Sequence, residues 1–561
     1  MMTSTFVQPA LVLIAGGLLL PLIRGALRSA WLLVIPLIAA YLVAIVPDGT
    51  AVTTSFLGQQ LTIVKGDNLS RLFAMVFAIA TFAGALFALN QRRTSELSAA
   101  FVYAGSAIGA CFAGDLISLF VFWEAMAIAS TIVLWSNGPN ARGAGLRYAA
   151  LHFLGGTILM AGIAGEFAAT GSLAFDRMDA STTPRCLILS GFLINAAATP
   201  LSAWLPDAYP EASWSGMVFL SAFTTKTAVY VMIRGFPGTE ILLWIGLAMV
   251  FYGIVYAILE NDMRRILAYS IVNQVGFMVV GVGIGTEMAL NGASAHAFTH
   301  IIYKALLLMS AGSVLYMTGM RKCTDLGGLF RTMPVTTTCG IIGALSISSF
   351  PLTSGFVSKS LVIEGAAQEH MKIVWLLLQA ASAGVFLHAG IKFPWFVFFQ
   401  KDSGLRPSEP PWNMRAAMIL CSALCIGLGV MPQLLYAQLP FKVDYAPYTT
   451  SHIIGQLQLL LFSGLAFFLM LDLLKRTMTI TLDVDWLWRR LGWNVLSWFD
   501  TMVGRWWAIT TRKVSAASLT ALARIQQYHG QGGMFGRTWP TGTMAFWMTV
   551  MLGAFLILAY I

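Results

Sequence analysis

Charge is what this sequence has least of. Of its 561 residues only 10% are Asp, Glu, Lys or Arg, where a soluble protein carries about 25%. Cysteine is sparse as well. Cys111, Cys186, Cys323, Cys339, Cys421 and Cys425 have neither CxxC nor metal-finger spacing, so they read as small core residues rather than metal ligands. No P-loop, flavin fingerprint or iron–sulfur cysteine set is found. GVGIGTE at 281–287 is glycine-rich, but it ends an apolar run and lacks the strand–turn–helix setting of a nucleotide loop. Redox chemistry is therefore not expected in this chain, nor is a bound cofactor or a metal.

What is there in quantity is hydrocarbon. The chain is 58% hydrophobic, with a mean hydropathy of +0.76. Apolar runs of 18 residues or more recur, each long enough to cross a bilayer core of about 30 Å. They lack the short alternation of outer-membrane barrels, so the expected fold is an all-α polytopic membrane protein. Sixteen spans are expected, near 8–23, 29–46, 69–90, 98–114, 116–136, 147–169, 184–206, 214–236, 239–259, 264–283, 287–319, 334–368, 372–400, 413–436, 452–474 and 541–561. The N-terminus lacks a basic n-region, so its apolar run reads as a span rather than a cleaved signal. The net charge of +10 is scattered through loops. Up to span fifteen, fourteen Lys/Arg fall on one side and seven on the other. By the positive-inside rule this puts both termini outside a bacterial cytoplasmic membrane.

Two spans look interrupted. The seventh reads FLINAAATPLSAWLPDAYP and the twelfth ALSISSFPLTSGFVSKSL; each has a Pro-Leu-Ser/Thr core where proline removes a backbone hydrogen bond. Broken helices five spans apart suggest two five-span repeats, and an odd repeat length requires the second to be inverted. The expected organisation is spans one to three over 1–97, a first repeat over 98–236 and an inverted second repeat over 239–400. Spans fourteen and fifteen follow over 413–474, then a basic amphipathic cytoplasmic-side segment over 475–540 and a last span over 541–561. DVDWLWRRLGWNVLSWFDTMVGRWW, within 475–540, mixes Trp and Arg as a headgroup-level helix does.

The few charges inside these spans are the candidate functional residues. Glu124 stands within FVFWEAMAIAS, where inserting a carboxylate costs on the order of 2.5–3.5 kcal/mol. Lys226, Lys304, Lys359 and Lys392 also fall within spans, and burial makes a lysine a usable proton carrier. His296, His300 and Lys304 follow one another at four-residue intervals along one helix stripe, a spacing that suits proton hopping. The same stripe also fits interhelical hydrogen bonding, and two histidines four apart can ligate an ion, though no acidic or cysteine ligand accompanies them.

LFVFWEAM, PLSAWLPDAYPEA, SAFTTKTAVYVMIRGFP, NDMRRILAYSIVNQVGFM, HAFTHIIYKALLLMSAGSVL and FPLTSGFVSKSL resemble the antiporter-type subunits shared by respiratory complex I, membrane-bound hydrogenases and Mrp cation/proton antiporters, over about residues 60–400. The likeness is greatest to the Mrp D-type component. It implies a fourteen-span core with inverted five-helix repeats and a hydrated mid-membrane chain of ionisable residues: Glu124, Lys226, His296, His300, Lys304 and Lys359, to which sequence context alone adds Lys392. One position departs. Where such subunits carry a lysine in the broken seventh helix, this chain has Asn195, which cannot exchange a proton at neutral pH. Lys226 is the expected substitute partner of Glu124. The two further spans resemble in arrangement the C-terminal brace of the longest complex I antiporter-like subunit.

The expected function is that of a proton-translocating subunit of a hetero-oligomeric Na+/H+ antiporter, with other membrane subunits and the bilayer as partners and no nucleic acid. Alternatives are a proton-pumping subunit of a redox-driven complex, a subunit of an inorganic-carbon uptake complex, and a scaffold whose buried charges serve assembly.

Overall fold

The computed structural model describes residues 8–56, 58–474, 483–484 and 486–561. Of the expected 475–540 segment, residues 475–482 and 485 lie outside the described residues. The chain forms two compact units, Met1–Asp485 and Trp486–Ile561.

The first unit opens with α1 (Pro9–Leu19) and α2 (Gly25–Ala44), then a hairpin of β1 (Ala51–Phe56) and β2 (Gln59–Lys65). The hairpin occupies the loop expected between spans two and three, where Val52, Thr53, Thr54, Thr62, Ile63 and Val64 supply β-branched side chains. Next come α3 (Asn68–Phe87), α4 (Thr94–Phe112), α5 (Leu116–Trp135) and α6 (Pro139–Thr170). The seventh span is α7 (Thr183–Asn195) and α8 (Trp204–Ala208); the eighth is α9 (Gly216–Ala222) and α10 (Thr224–Gly235). Then follow α11 (Glu240–Leu259), α12 (Met263–Ile284), α13 (Glu287–Thr318), α14 (Pro334–Ile347) and α15 (Ser354–Gln368). Helix α16 (Lys372–Val385) continues as π-helix over Phe386–Lys392 and Trp395–Phe399. The unit closes with α17 (Trp412–Val430), α18 (Gln433–Tyr436), α19 (Thr450–Leu469) and α20 (Leu471–Leu474). The second unit holds α21 (Trp493–His529) and α22 (Thr541–Tyr560).

All sixteen expected stretches carry helix. Among the described residues, 13 helices are long and apolar enough to cross a membrane, and α1 and α14 belong to shorter apolar helices. The chain is an all-α polytopic membrane protein. Helices α10 and α12 are buried almost end to end, so the polar groups they carry lie in the interior rather than against lipid.

Three aspartates begin helices rather than entering the membrane. Asp67 starts α3 with a capping box shared with Ser70. The Asp115 carboxylate accepts the Ser118 amide at 2.7 Å, and that of Asp262 accepts the Arg264 amide at 2.8 Å. Each satisfies a backbone donor that the helix start leaves open. Asp67 also takes the Arg234 guanidinium at 2.8 Å. Burial alone would raise its carboxyl, but the Arg234 charge and the Ser70 bonds outweigh it and hold the carboxyl below its ordinary range. A depressed folded value gives stability above the unfolded value of about 3.9, lost as pH falls through the folded one. Asp67→Ala is therefore expected to cost about 1 kcal/mol at pH 7. Thermal melting in detergent should show that difference shrinking below pH 4.

The two interrupted helices break by the same device. In α7 the helix gives way to Ala197 at φ 58°, and in α14 to Ser349 at φ 59°. Ala198 N–H returns to the Leu193 carbonyl at 3.0 Å, and Phe350 N–H to that of Leu345 at 3.0 Å. This six-to-one bond around a left-handed residue is the Schellman closure, normally built on glycine. A left-handed conformation at two non-glycine positions is strain held in place by the surrounding packing.

Asp483, beyond α20, is buried against α11 and α12. Its carboxylate accepts the Tyr252 hydroxyl at 2.6 Å and the Tyr269 hydroxyl at 2.7 Å. Removing both donors leaves a buried carboxylate short of partners, at about 1–3 kcal/mol. Tyr252→Phe/Tyr269→Phe is expected to lower the melting temperature by several degrees, and adding Asp483→Asn to recover part of the loss.

Candidate functional site: a buried relay of lysine and histidine

All four intramembrane lysines are buried: Lys226 and Lys304 at 0% exposure, Lys359 at 1% and Lys392 at 2%. Among the described residues none forms an ion pair. Instead each ammonium rests on backbone carbonyls or hydroxyls, most of them where a helix is irregular. Lys226 donates to the Ser221 carbonyl at 2.7 Å and to the Thr225 hydroxyl at 3.1 Å, beside the interruption at Phe223 between α9 and α10. Lys359 donates at 2.9 Å to the carbonyl of Ile347, the last residue of α14, and lies 5.0 Å from the centre of the Phe277 ring. Lys304 donates to the Ser270 hydroxyl at 2.8 Å. Lys392, carried on the π-helix, caps the end of α11 through the carbonyls of Ile258 and of Glu260, the latter at 2.7 Å. A neutral carbonyl solvates an ammonium yet is left uncharged when the proton departs. Loss of a proton from an ammonium so held would strand no carboxylate.

Between these lysines run the polar groups of α12, α13 and α15. His296 Nδ1 lies 3.1 Å from the Ser358 hydroxyl, and its Nε2 lies 3.1 Å from the Gln274 amide oxygen. Tyr303 donates to the same Gln274 oxygen at 3.1 Å, and the Thr299 and Ser358 hydroxyls are 2.8 Å apart. The His296 and His300 rings are 6.2 Å apart. Both nitrogens of His300 are buried without a protein partner, which leaves them open to water or a proton. His388 Nδ1 lies 2.9 Å from the Gly384 carbonyl, and its Nε2 is likewise unpartnered. Through Ser358, the polar groups of α13 meet α15, the helix that carries Lys359.

Glu124 stands apart from this group. It is the ninth residue of α5, and its carboxylate packs on Gly156 of α6, where a Cβ would lie 1.8 Å from Oε1. That oxygen is buried and has no partner. The expected pairing of Glu124 with Lys226 is not formed. The Lys226 ammonium donates instead to Ser221 across the interruption at Phe223, and α10 packs on α4, α7, α12 and α13. Asn195 is the last residue of α7, and its amide oxygen lies 2.7 Å from His152 Nδ1 of α6.

Residues 113–385 match the family described as NADH:quinone oxidoreductase/Mrp antiporter, transmembrane. The match covers just under half of the chain. The chain is 30% identical over 397 residues to the A/B component of a probable K+/H+ antiporter of Rhizobium meliloti, covering 64% of this chain and 40% of that one. It is 32% identical over 301 residues to the N component of the NADH-quinone oxidoreductase of Desulforudis audaxviator, covering 50% and 60%. To the D component of the Na+/H+ antiporter of Alkalihalophilus pseudofirmus it is 33% identical over 281 residues, covering 46% and 56%. The matches thus span about half the length of these relatives. The fold is that of a chain in the Mrp complex from Dietzia sp., with a TM-score of 0.76 at 21% identity over 93% of this chain and 63% of that one.

His152 and His388 are absent from the residues expected on sequence. Both are single histidines in apolar helices, and what marks them is long-range: His152 meets Asn195 43 residues away, and His388 sits in a π-helical turn. Such turns are frequent at functional positions.

Proposed function

We propose that this chain is the proton-translocating membrane subunit of a multisubunit monovalent-cation/proton antiporter, with Na+ as the exchanged cation. Protons move along Glu124, Lys226, His296, His300, Lys304, Lys359 and Lys392, and the chain itself needs no cofactor or metal. The observation that carries this reading is the set of four buried lysines on neutral carbonyls and hydroxyls, joined by histidines with unpartnered nitrogens. A scaffold gains nothing from buried charges without counter-charges, since each costs several kcal/mol. The chain sits in a bacterial cytoplasmic membrane with both termini outside, and the 475–540 segment lies at the cytoplasmic headgroups. Its neighbours are other membrane subunits of the same complex.

The test uses inverted membrane vesicles from antiporter-deficient cells expressing the chain with its neighbouring genes' products. Added Na+ should dissipate a preformed pH gradient, and Glu124→Gln should abolish that response at normal protein level. The likeness to a component of a NADH-quinone oxidoreductase favours a second reading, in which partner subunits drive the same relay by electron transfer. Flavin or iron–sulfur absorbance in the purified complex, with no cation response, would select it.

A further inference from the structure

The first half of the relay holds an acid without a partner and a histidine with a free nitrogen, both packed on one stripe of α6. Gly155 and Gly156 make the space. A Cβ at Gly155 would lie 3.7 Å from the Asn195 amide oxygen, and one at Gly156 would collide with the Glu124 carboxylate. His152 stands one turn before Gly156, so its Cβ and that glycine's position are roughly 5–6 Å apart. His152 is 1% exposed and Asn195 2%. Nε2 of His152 and Oε1 of Glu124 are both buried without partners.

We propose that His152 is the proton-exchanging partner of Glu124, and that Asn195 is the positioning residue that holds it in the working tautomer. The proposal rests on the proton-relay reading above. The amide oxygen at 2.7 Å only accepts, so Nδ1 carries a hydrogen and Nε2 is left as the proton site. The exchange balances simply. The Glu124 carboxyl O–H breaks, an N–H bond forms at His152 Nε2, and carboxylate and imidazolium result, the proton passing directly or through water. The Tyr148 ring, centred 4.1 Å from the imidazole, and Trp204, at 4.6 Å, offer π-faces to the cation. Other ionisable groups facing α6 are already paired or remote from this stripe. Arg185 on α7 pairs with Glu166 at 2.9 Å, and Asp207 on α8 with Arg147 at 2.7 Å. Tyr148 donates to Ser130 at 2.9 Å; Tyr209 meets Trp204 edge-on and its buried hydroxyl has no partner.

The experiment measures Na+-dependent dissipation of a pH gradient in vesicles bearing the assembled complex. His152→Gln should lose at least tenfold in rate at unchanged membrane level. Asn195→Asp, which gives the imidazolium a charged acceptor, should move the pH profile of the rate upward by about 1–2 units. A merely structural histidine would not move that profile. Full activity of His152→Gln, or an Asn195→Asp profile superimposed on wild type, overturns the proposal. An inactive wild-type complex would instead count against the antiporter reading itself.

Discussion

Lys304→Gln is expected to bring cation-coupled proton movement close to background, a loss on the order of 100-fold, with the protein still inserted and assembled. Lys304 is where the two branches of the relay meet. On α13 it lies one turn beyond His300, whose two ring nitrogens are buried without a protein partner. Glutamine keeps a hydrogen-bond donor for the Ser270 hydroxyl, which Lys304 holds at 2.8 Å, but it carries no exchangeable charge. Replacing a buried ion by a neutral group of similar size is often neutral or stabilising. Loss of transport therefore separates from loss of fold. Exposed Lys401 is the control: Lys401→Gln should transport as wild type does.

Gly156→Ala is expected to cost nearly as much transport as Glu124→Gln, at least about tenfold, although it adds one methyl group. The added Cβ would stand 1.8 Å from Glu124 Oε1, a separation no pair of atoms tolerates. The carboxylate must swing away from the α6 stripe it shares with His152. In an exposed helix the same substitution stabilises by roughly 0.5–1 kcal/mol, so weaker helix formation is not the cause. Glu124→Asp shortens the side chain by one methylene, and the Gly156→Ala/Glu124→Asp pair should recover part of the rate. A rate for the pair equal to the product of the two single effects would mean that the residues do not touch.

How much of this was legible in the chain depends on the range of each signal. The seventh and twelfth spans declare their breaks through Pro200 and Pro351, because proline acts on its own helix. The lysines declare themselves because charge in an apolar run has no cheap explanation. The pairing of Glu124 with Lys226 was a different kind of inference, one span against another, and it failed on direction. Lys226 follows an interruption at Phe223 that no proline or glycine announces, and its ammonium donates to the Ser221 carbonyl across that interruption. His152 was hidden for a related reason. Its meaning lies in Asn195, and the two come together only when α6 packs on α7. Asp483 is further still, 231 residues from Tyr252 and 214 from Tyr269. The asparagine that looked like a gap in the relay is, in the fold, the hydrogen-bond partner of a histidine.

Charge displacement after a rapid pH jump, recorded on a solid-supported membrane carrying the purified complex, tests the central claim most directly. The relay requires protons to enter the interior and load buried lysine and histidine before any cation is exchanged. Wild type should give a transient electrical signal on the pH step alone, and Lys304→Gln should give one several-fold smaller at equal protein density. Equal transients from the two proteins would contradict the account.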